Sequence, residues 1–248
     1  MTTILKLGGS VVTEKDQQET VDEAMLSTVL DIFADHYDPG QFVVVHGGGS
    51  FGHHHAARHG YSKTDGTRDA TAVTDVHGAM TTLNEAVVDA LQARGVPAVP
   101  VSPLSLAHRD AGGELSFPAD TITTTLDEGF LPVVQADPIV HADRGATILS
   151  GDDIVVSLAT SLGASRVGLC STVPGVLDND GAVIPEIESY GDVSHVLGES
   201  ESTDVTGGMA GKVRTLLDLE APAAIFDPDD LGGFLDGESV GTIVRGDR

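Results

Sequence analysis

The chain has 248 residues, 40% of them hydrophobic, with a mean hydropathy of +0.06, the profile of a folded globular protein and not of a disordered tail. Its formal charge of −25 repels phosphodiester backbones and anionic lipid surfaces, so neither nucleic acid nor membrane is an expected partner. The single cysteine, Cys170, excludes an intramolecular disulfide and a multi-cysteine metal site.

Strand-like and helix-like segments alternate along the sequence, which predicts an α/β fold. Ile4–Leu7 reads as a first strand ending at Gly8-Gly9-Ser10. From about Thr20 to His36, Val21, Met25, Val29, Ile32 and Phe33 recur at helical spacing. Phe42–Val45 is a continuous apolar run, as expected of a strand buried on both faces, and leads into Gly47-Gly48-Gly49-Ser50-Phe51-Gly52-His53. A polar stretch from Ser62 to Asp69 precedes a long helix to about Arg94, closed by Gly95 and Pro97. Short strands follow at Ala98–Val101, Leu131–Gln135 and Ile139–His141. Ser150-Gly151-Asp152-Asp153 opens a helix over Ile154–Leu162, and Arg166–Ser171 is another apolar strand. A last long helix is expected from Thr206-Gly207-Gly208-Met209 through Lys212 to Leu219, before strands at Ala223–Phe226 and Thr242–Val244. No repeat or linker divides the chain. One domain over residues 1–248 is expected, with an N-terminal lobe to about 165 and a C-terminal lobe over 166–248.

The acidity is spread along the chain, as 26 Asp and 12 Glu against four Lys and nine Arg. Dispersed aspartate with scarce lysine predicts a protein adapted to molar salt, where a Debye length of about 3 Å screens self-repulsion. No apolar run of about 18 residues and no signal-like start are seen, so a cytoplasmic location is expected. Where lysine is this scarce, each one left has a reason to be there. Lys6, Lys15 and Lys212 sit beside glycine-rich junctions, whereas Lys63 reads as an ordinary solvated side chain.

Those junctions are Lys6-x-Gly8-Gly9-Ser10, Gly47 to His53, and Thr206-Gly207-Gly208-Met209-x-x-Lys212. Glycine there lets backbone N–H groups approach an anion at a strand end or helix start, and three such turns point to polyphosphate binding. Gly47-x-Gly49-x-x-Gly52 also fits the dinucleotide fingerprint. However, the window where that fold needs a second strand, Tyr61 to Arg68, is polar. A Walker A sequence is absent as well. The three consecutive histidines, His53 to His55, do not predict a metal site, because neighbouring helical side chains point about 100° apart. His54 and His55 are expected to face solvent, and no metal ligands are assigned.

With these motifs in family order from end to end, the chain resembles the amino acid kinase superfamily, and within it the archaeal-type isopentenyl phosphate kinases. The matching pieces are Ile4 to Lys15, His46 to His53, Ser150 to Asp153, and Asp204 to Lys212. The resemblance implies an αβα three-layer sandwich with a mainly parallel central sheet, and a twofold homodimer. It implies ATP- and Mg²⁺-dependent phosphorylation of isopentenyl phosphate to the diphosphate. Another small phosphate or phosphonate acceptor, and a nucleotide-binding regulator without catalysis, are the competing readings. Relatives commonly carry Thr-Asp-Val-Asp-Gly-Val-Tyr where this chain has Ser171-Thr172-Val173-Pro174-Gly175-Val176-Leu177, so contacts on the adenine side differ here.

Transfer between phosphates is catalysed by positioning and cationic stabilisation. Physics and the resemblance together assign Lys6, Lys15, His53 and Asp152 to catalysis. ATP is expected on Lys6, Gly8, Gly9, Ser10, Gly48, Gly207, Gly208 and Lys212. The acceptor is expected on Gly47, Gly48, Gly52, His53 and Gly151. Similar enzymes use the histidine at position 53 to hold the acceptor's phosphate, and the aspartate at 152 to orient the lysines. Asp153 reads only as first-turn helix charge.

Overall fold

A computed structural model describes residues 1–197 and 208–246. In chain order it contains β1 (Thr3–Leu7), α1 (Gly9–Val12), α2 (Glu23–Asp35), β2 (Phe42–His46), α3 (Gly49–His59), α4 (Ala70–Gln92) and β3 (Ala98–Val101). Next come β4 (His108–Arg109), β5 (Leu115–Ser116), α5 (Asp120–Asp127), β6 (Leu131–Gln135), β7 (Asp137–His141), β8 (Gly145–Leu149) and α6 (Gly151–Leu162). The chain finishes with β9 (Arg166–Cys170), β10 (Glu186–Ile187), α7 (Tyr190–Leu197), α8 (Gly208–Leu216), β11 (Ala223–Phe226), α9 (Leu231–Asp236) and β12 (Thr242–Val244).

Eight strands form one sheet in the order β10-β12-β11-β9-β1-β2-β6-β3. Every neighbouring pair is parallel except β11 with β12. The β1–β9 pairing, Thr3 opposite Arg166 through Leu7 opposite Cys170, joins the N-terminal and C-terminal parts in one sheet. Side chains alternate across it, and the core divides accordingly. Leu5, Val44 and Val133 pack on one face with α2, α3, α4 and α9. Ile4, Val43, Val134 and Val167 pack on the other with α5, α6, α7 and α8. These are the three layers expected. Strands clad on both sides carry apolar residues at nearly every position, which is why the runs at 42–45 and 166–170 lack alternation.

A second sheet, β5-β4-β7-β8, leaves the first at Ala136, between β6 and β7. Its two-residue strands carry too little pattern to be read from sequence. The limits of α3, the helix that carries the three histidines, were not legible either, because its glycines and histidines have low intrinsic propensity. Burial of Phe51, His55 and Ala56 holds it in place. The helix expected over 154–162 begins earlier, at Gly151, because the Ser150 hydroxyl caps it by accepting the Asp153 N–H. The expected start of the last long helix, at 206–207, lies outside the described residues, and α8 ends at Leu216, short of Leu219.

Candidate active site

A cavity of about 250 Å³ opens where β1, β2, β6 and β9 end, at the residues that follow their C-terminal ends. Parallel sheets place ligands at this edge, because loops and helix N-termini converge there. Lys6, Gly8, Gly9 and Ser10 line it from the first junction, and Gly47, Gly48, Gly52 and His53 from the second. Gly151 and Asp152 enter from the start of α6, and Gly208 and Lys212 from α8. Apolar lining comes from Val76 and Met80 of α4, with Ala56 and Ile148.

Strand alternation fixes the direction of Lys6. It shares the face of Ile4, the face covered by α6, so its stem runs to that helix's N-terminus. There Nζ donates to Asp152 Oδ1 at 2.6 Å, with both residues buried. Burial alone would raise the Asp152 pKa, but Lys6, Lys212 and Lys63 outweigh it and hold the carboxyl below the usual carboxylate range. The helix dipole of α6 favours the same charge. Gly151 makes room for the lysine, since a Cβ there would stand 3.0 Å from Lys6 Cε.

Several glycines serve a purpose that sequence reading did not assign. The first and second glycine loops pack backbone to backbone. A Cβ on Gly47 would lie 2.8 Å from Gly9 N, and one on Gly9 would strike Gly49 N. A Cβ on Gly52 would lie 2.8 Å from Met80 Sδ. These glycines bring the two loops and α4 together as well as leaving space for a ligand. The N-terminal part of α3 borders the cavity at Gly48, Gly49, Gly52 and His53, so its dipole favours an anion there.

Most residues assigned from sequence thus meet at one cavity. Lys15 does not. It lies exposed in the turn after α1, outside the lining, because Thr13 pairs with Val21 and turns the chain away. Gly207 lies outside the described residues. His55 is not solvent-facing as expected, because the α3 helix turns it inward, where it is 7% exposed. Its Nε2 donates to Glu19 at 2.6 Å and its Nδ1 to Asp75 at 2.7 Å. Lys63 is not merely solvated, and Asp153 is more than first-turn charge. Lys63 Nζ donates to Asp153 Oδ1 at 2.9 Å, and Arg109 donates to Asp153 Oδ2 at 3.2 Å.

Sequence reading missed Asp137, Ser150, Ser171 and Thr172, which also line the cavity. Asp137 is 1% exposed and accepts from His77 at 2.8 Å, Ser102 Oγ at 3.2 Å and Leu104 N at 3.0 Å. Nothing in the local sequence marks it, since its donors come from two distant segments, α4 and residues 102–104. Both carboxylates that the described residues bring to the cavity, Asp152 and Asp137, are thus engaged by protein donors. Among the described residues no group of three or more His, Cys, Asp or Glu is arranged to hold a metal ion, and no helix is long and apolar enough to cross a membrane.

Comparison with known proteins identifies the family and agrees with the fold. A sequence model of the amino acid kinase family matches residues 1–222. An isopentenyl phosphate kinase of Haloferax volcanii is 61% identical over 244 residues, 98% of each chain. One from Methanocaldococcus jannaschii is 30% identical over 260 aligned positions, again 98% of each chain. A crystal structure of an isopentenyl phosphate kinase superposes with a TM-score of 0.85 at 28% identity, covering 98% of this chain and 100% of the other. The chain belongs to the amino acid kinase family, and within it to the isopentenyl phosphate kinases.

Proposed function

We propose that the protein transfers the γ-phosphoryl group of ATP to the phosphate of isopentenyl phosphate, giving isopentenyl diphosphate and ADP. The observation that carries this reading is the joining, in one cavity, of a buried Lys6–Asp152 pair, two glycine loops with His53, and an apolar end formed by Val76 and Met80. The first half suits phosphates and the second a hydrocarbon. The 61% identity to the Haloferax enzyme supports the choice of acceptor.

A terminal oxygen of the acceptor's phosphate attacks the γ-phosphorus while the bond to the β-phosphate oxygen breaks, and ADP leaves with that electron pair. The attacking oxygen is already anionic, so no general base is required. Lys6 offsets the charge that gathers on the transferred group, and Asp152 keeps the ammonium aimed there. Lys212 and the N–H groups of the first junction take the nucleotide's phosphates. His53 and the N-terminus of α3 take the acceptor's. Because Asp152 and Asp137 are engaged by protein donors, Mg²⁺ would enter with the nucleotide and would offset phosphate charge there. The lobe to residue 165 then serves the acceptor and the transfer, and the lobe from 166 the nucleotide. A cytoplasmic homodimer completes the reading, as closed twofold symmetry favours.

Coupled measurement of ADP release with isopentenyl phosphate, against a panel of small phosphates and phosphonates, tests the proposal. Isopentenyl phosphate should give the highest kcat/KM. His53→Ala should raise KM for the acceptor strongly and leave KM for ATP nearly unchanged, with His53→Gln intermediate. ADP release equal with and without every acceptor would overturn the reading.

A further inference from the structure

Thr13 does not line the cavity, yet its hydroxyl touches both loops that do. The side chain closes α1 and is 1% exposed. Oγ1 donates to Gly9 O at 2.8 Å and accepts the Ser50 N–H at 2.9 Å. The first bond is the ordinary back-bond of a threonine to the carbonyl four residues earlier. The second spans 37 positions and is not local. It satisfies a first-turn donor of α3, whose own N-cap, Gly48, has no side chain able to do so.

The fit around this hydroxyl is close. Gly49 has φ +48°, and a Cβ there would run into Thr13 Oγ1 and Gly9 O. Gly9 O, Thr13 Oγ1 and the backbone of Gly49-Ser50 thus form one interlocked contact. On one side of it lies the junction Gly8-Gly9-Ser10, and on the other the loop Gly47 to His53.

We propose that Thr13 is a positioning residue whose single hydroxyl fixes the separation of the nucleotide-side loop from the acceptor-side loop. It thereby fixes the distance over which the phosphoryl group passes. The inference rests on the kinase reading above. In phosphoryl transfer the protein contributes chiefly alignment and electrostatics, so a change in loop spacing acts on kcat more than on affinity for either substrate. Two other ties hold the segment after Thr13 to α3: the Thr20 N–H to Ser50 Oγ at 3.5 Å, and His55 to Glu19 at 2.6 Å. Removing the hydroxyl therefore loosens the spacing without releasing the segment.

The test compares Thr13→Val, which keeps the shape and loses the hydroxyl, with Thr13→Ser, which keeps the hydroxyl. Turnover is measured with ATP and isopentenyl phosphate, and the Ser50 amide is followed by hydrogen exchange. A misplacement of about 1 Å can cost on the order of 100-fold in rate. The valine variant should therefore lose about 10- to 100-fold in kcat, with both KM values within about threefold of wild type. Serine should restore kcat to within about threefold, and the Ser50 amide should exchange faster in the valine variant alone. If valine fails to fold, Thr13→Cys, of similar volume with a weakly bonding sulfur, is read in its place. Wild-type kcat in the hydroxyl-free variant, serine as impaired as valine, or a loss carried by KM would each overturn the proposal. If the wild type does not turn over isopentenyl phosphate, the kinase reading fails separately. The Ser50 amide still decides the tie, and unchanged exchange in the hydroxyl-free variant overturns it.

Discussion

Lys6 and Asp152 lie 146 positions apart and meet at 2.6 Å inside the cavity, one at the end of the first strand and the other in the first turn of α6. Each is less than a tenth exposed, so the contact is largely shielded from water. Removing one partner of a buried pair costs about 3–5 kcal/mol, because the remaining charge is left unpaired. Asp152→Asn should therefore lower stability by an amount in that range and reduce kcat. In a double-mutant cycle with Lys6→Met, denaturant unfolding should give a coupling energy of about 0.5–3 kcal/mol. Strict additivity would show that the contact contributes nothing. Since the Asp152 pKa is depressed, the pair's contribution is complete above the unfolded carboxylate pKa of about 3.9 and is lost as pH falls through the folded value.

His55 predicts a dependence of the opposite sign. Both its ring nitrogens face carboxylates, Glu19 from the segment after α1 and Asp75 from α4, and a carboxylate only accepts. The ring must therefore carry two protons. Burial works against that charge, but the bonds from Asp75 and Glu19 prevail and raise the pKa above its ordinary value. Asp75, which His59 also engages at 2.7 Å, is held down to about 2. His54 and Arg58, also on α3, are the other charged or titratable groups nearby. A raised pKa gives stability that is complete below the unfolded value of about 6.5 and is lost as pH rises through the folded value. His55→Gln should thus cost more stability at pH 6 than at pH 9. An equal cost at both would place the neutral ring in the fold.

How much of this could be read in advance depended on distance along the chain. Lys6, the glycine loops and His53 belong to short motifs whose chemistry is local, and these were legible. The strands at 42–46 and 166–170 were legible because burial on both faces leaves an unbroken apolar run. The inward turn of His55 was not, since it is decided by Glu19 and Asp75, which sit 36 and 20 positions away. Nor was the Lys63–Asp153–Arg109 group, assembled over separations of 90 and 44 residues. The glycines of the two loops were legible as glycines, but their packing against each other needed the β1–β2 register, which sets Leu7 beside His46.

Salt should control stability. At 0.1 M the Debye length is about 10 Å and at 1 M about 3 Å, so 38 carboxylates repel one another far more strongly in dilute buffer. The melting temperature and activity should fall steeply below molar salt. The buried Lys6–Asp152 pair is little screened, so potassium chloride should rescue the wild type without rescuing Asp152→Asn. Full activity and an unchanged melting temperature at low salt would remove the high-salt reading.

In the proposed reading, the apolar part of the cavity lining limits the acceptor's length. Along α4, Val73, Val76, Met80 and Leu83 recur at spacings of three and four, but they do not share one environment. Val76 and Met80 line the cavity, whereas Leu83 is fully buried in the core and Val73 is only partly buried outside the lining. Met80 should matter most, because its sulfur packs under Gly52, next to His53, so shortening it opens space beside the residue proposed to hold the acceptor's phosphate. Each newly buried methylene contributes about 0.8 kcal/mol, so even two or three more would shift the preference by more than tenfold. Met80→Ala and Val76→Ala should therefore raise kcat/KM for ten-carbon geranyl phosphate relative to isopentenyl phosphate. Leu83→Ala serves as the control: it should cost about 2–5 kcal/mol of stability and leave the ratio unchanged. If both wall variants fold and keep the wild-type ratio, the stop lies at Ile148 or Ala136, which also line the cavity.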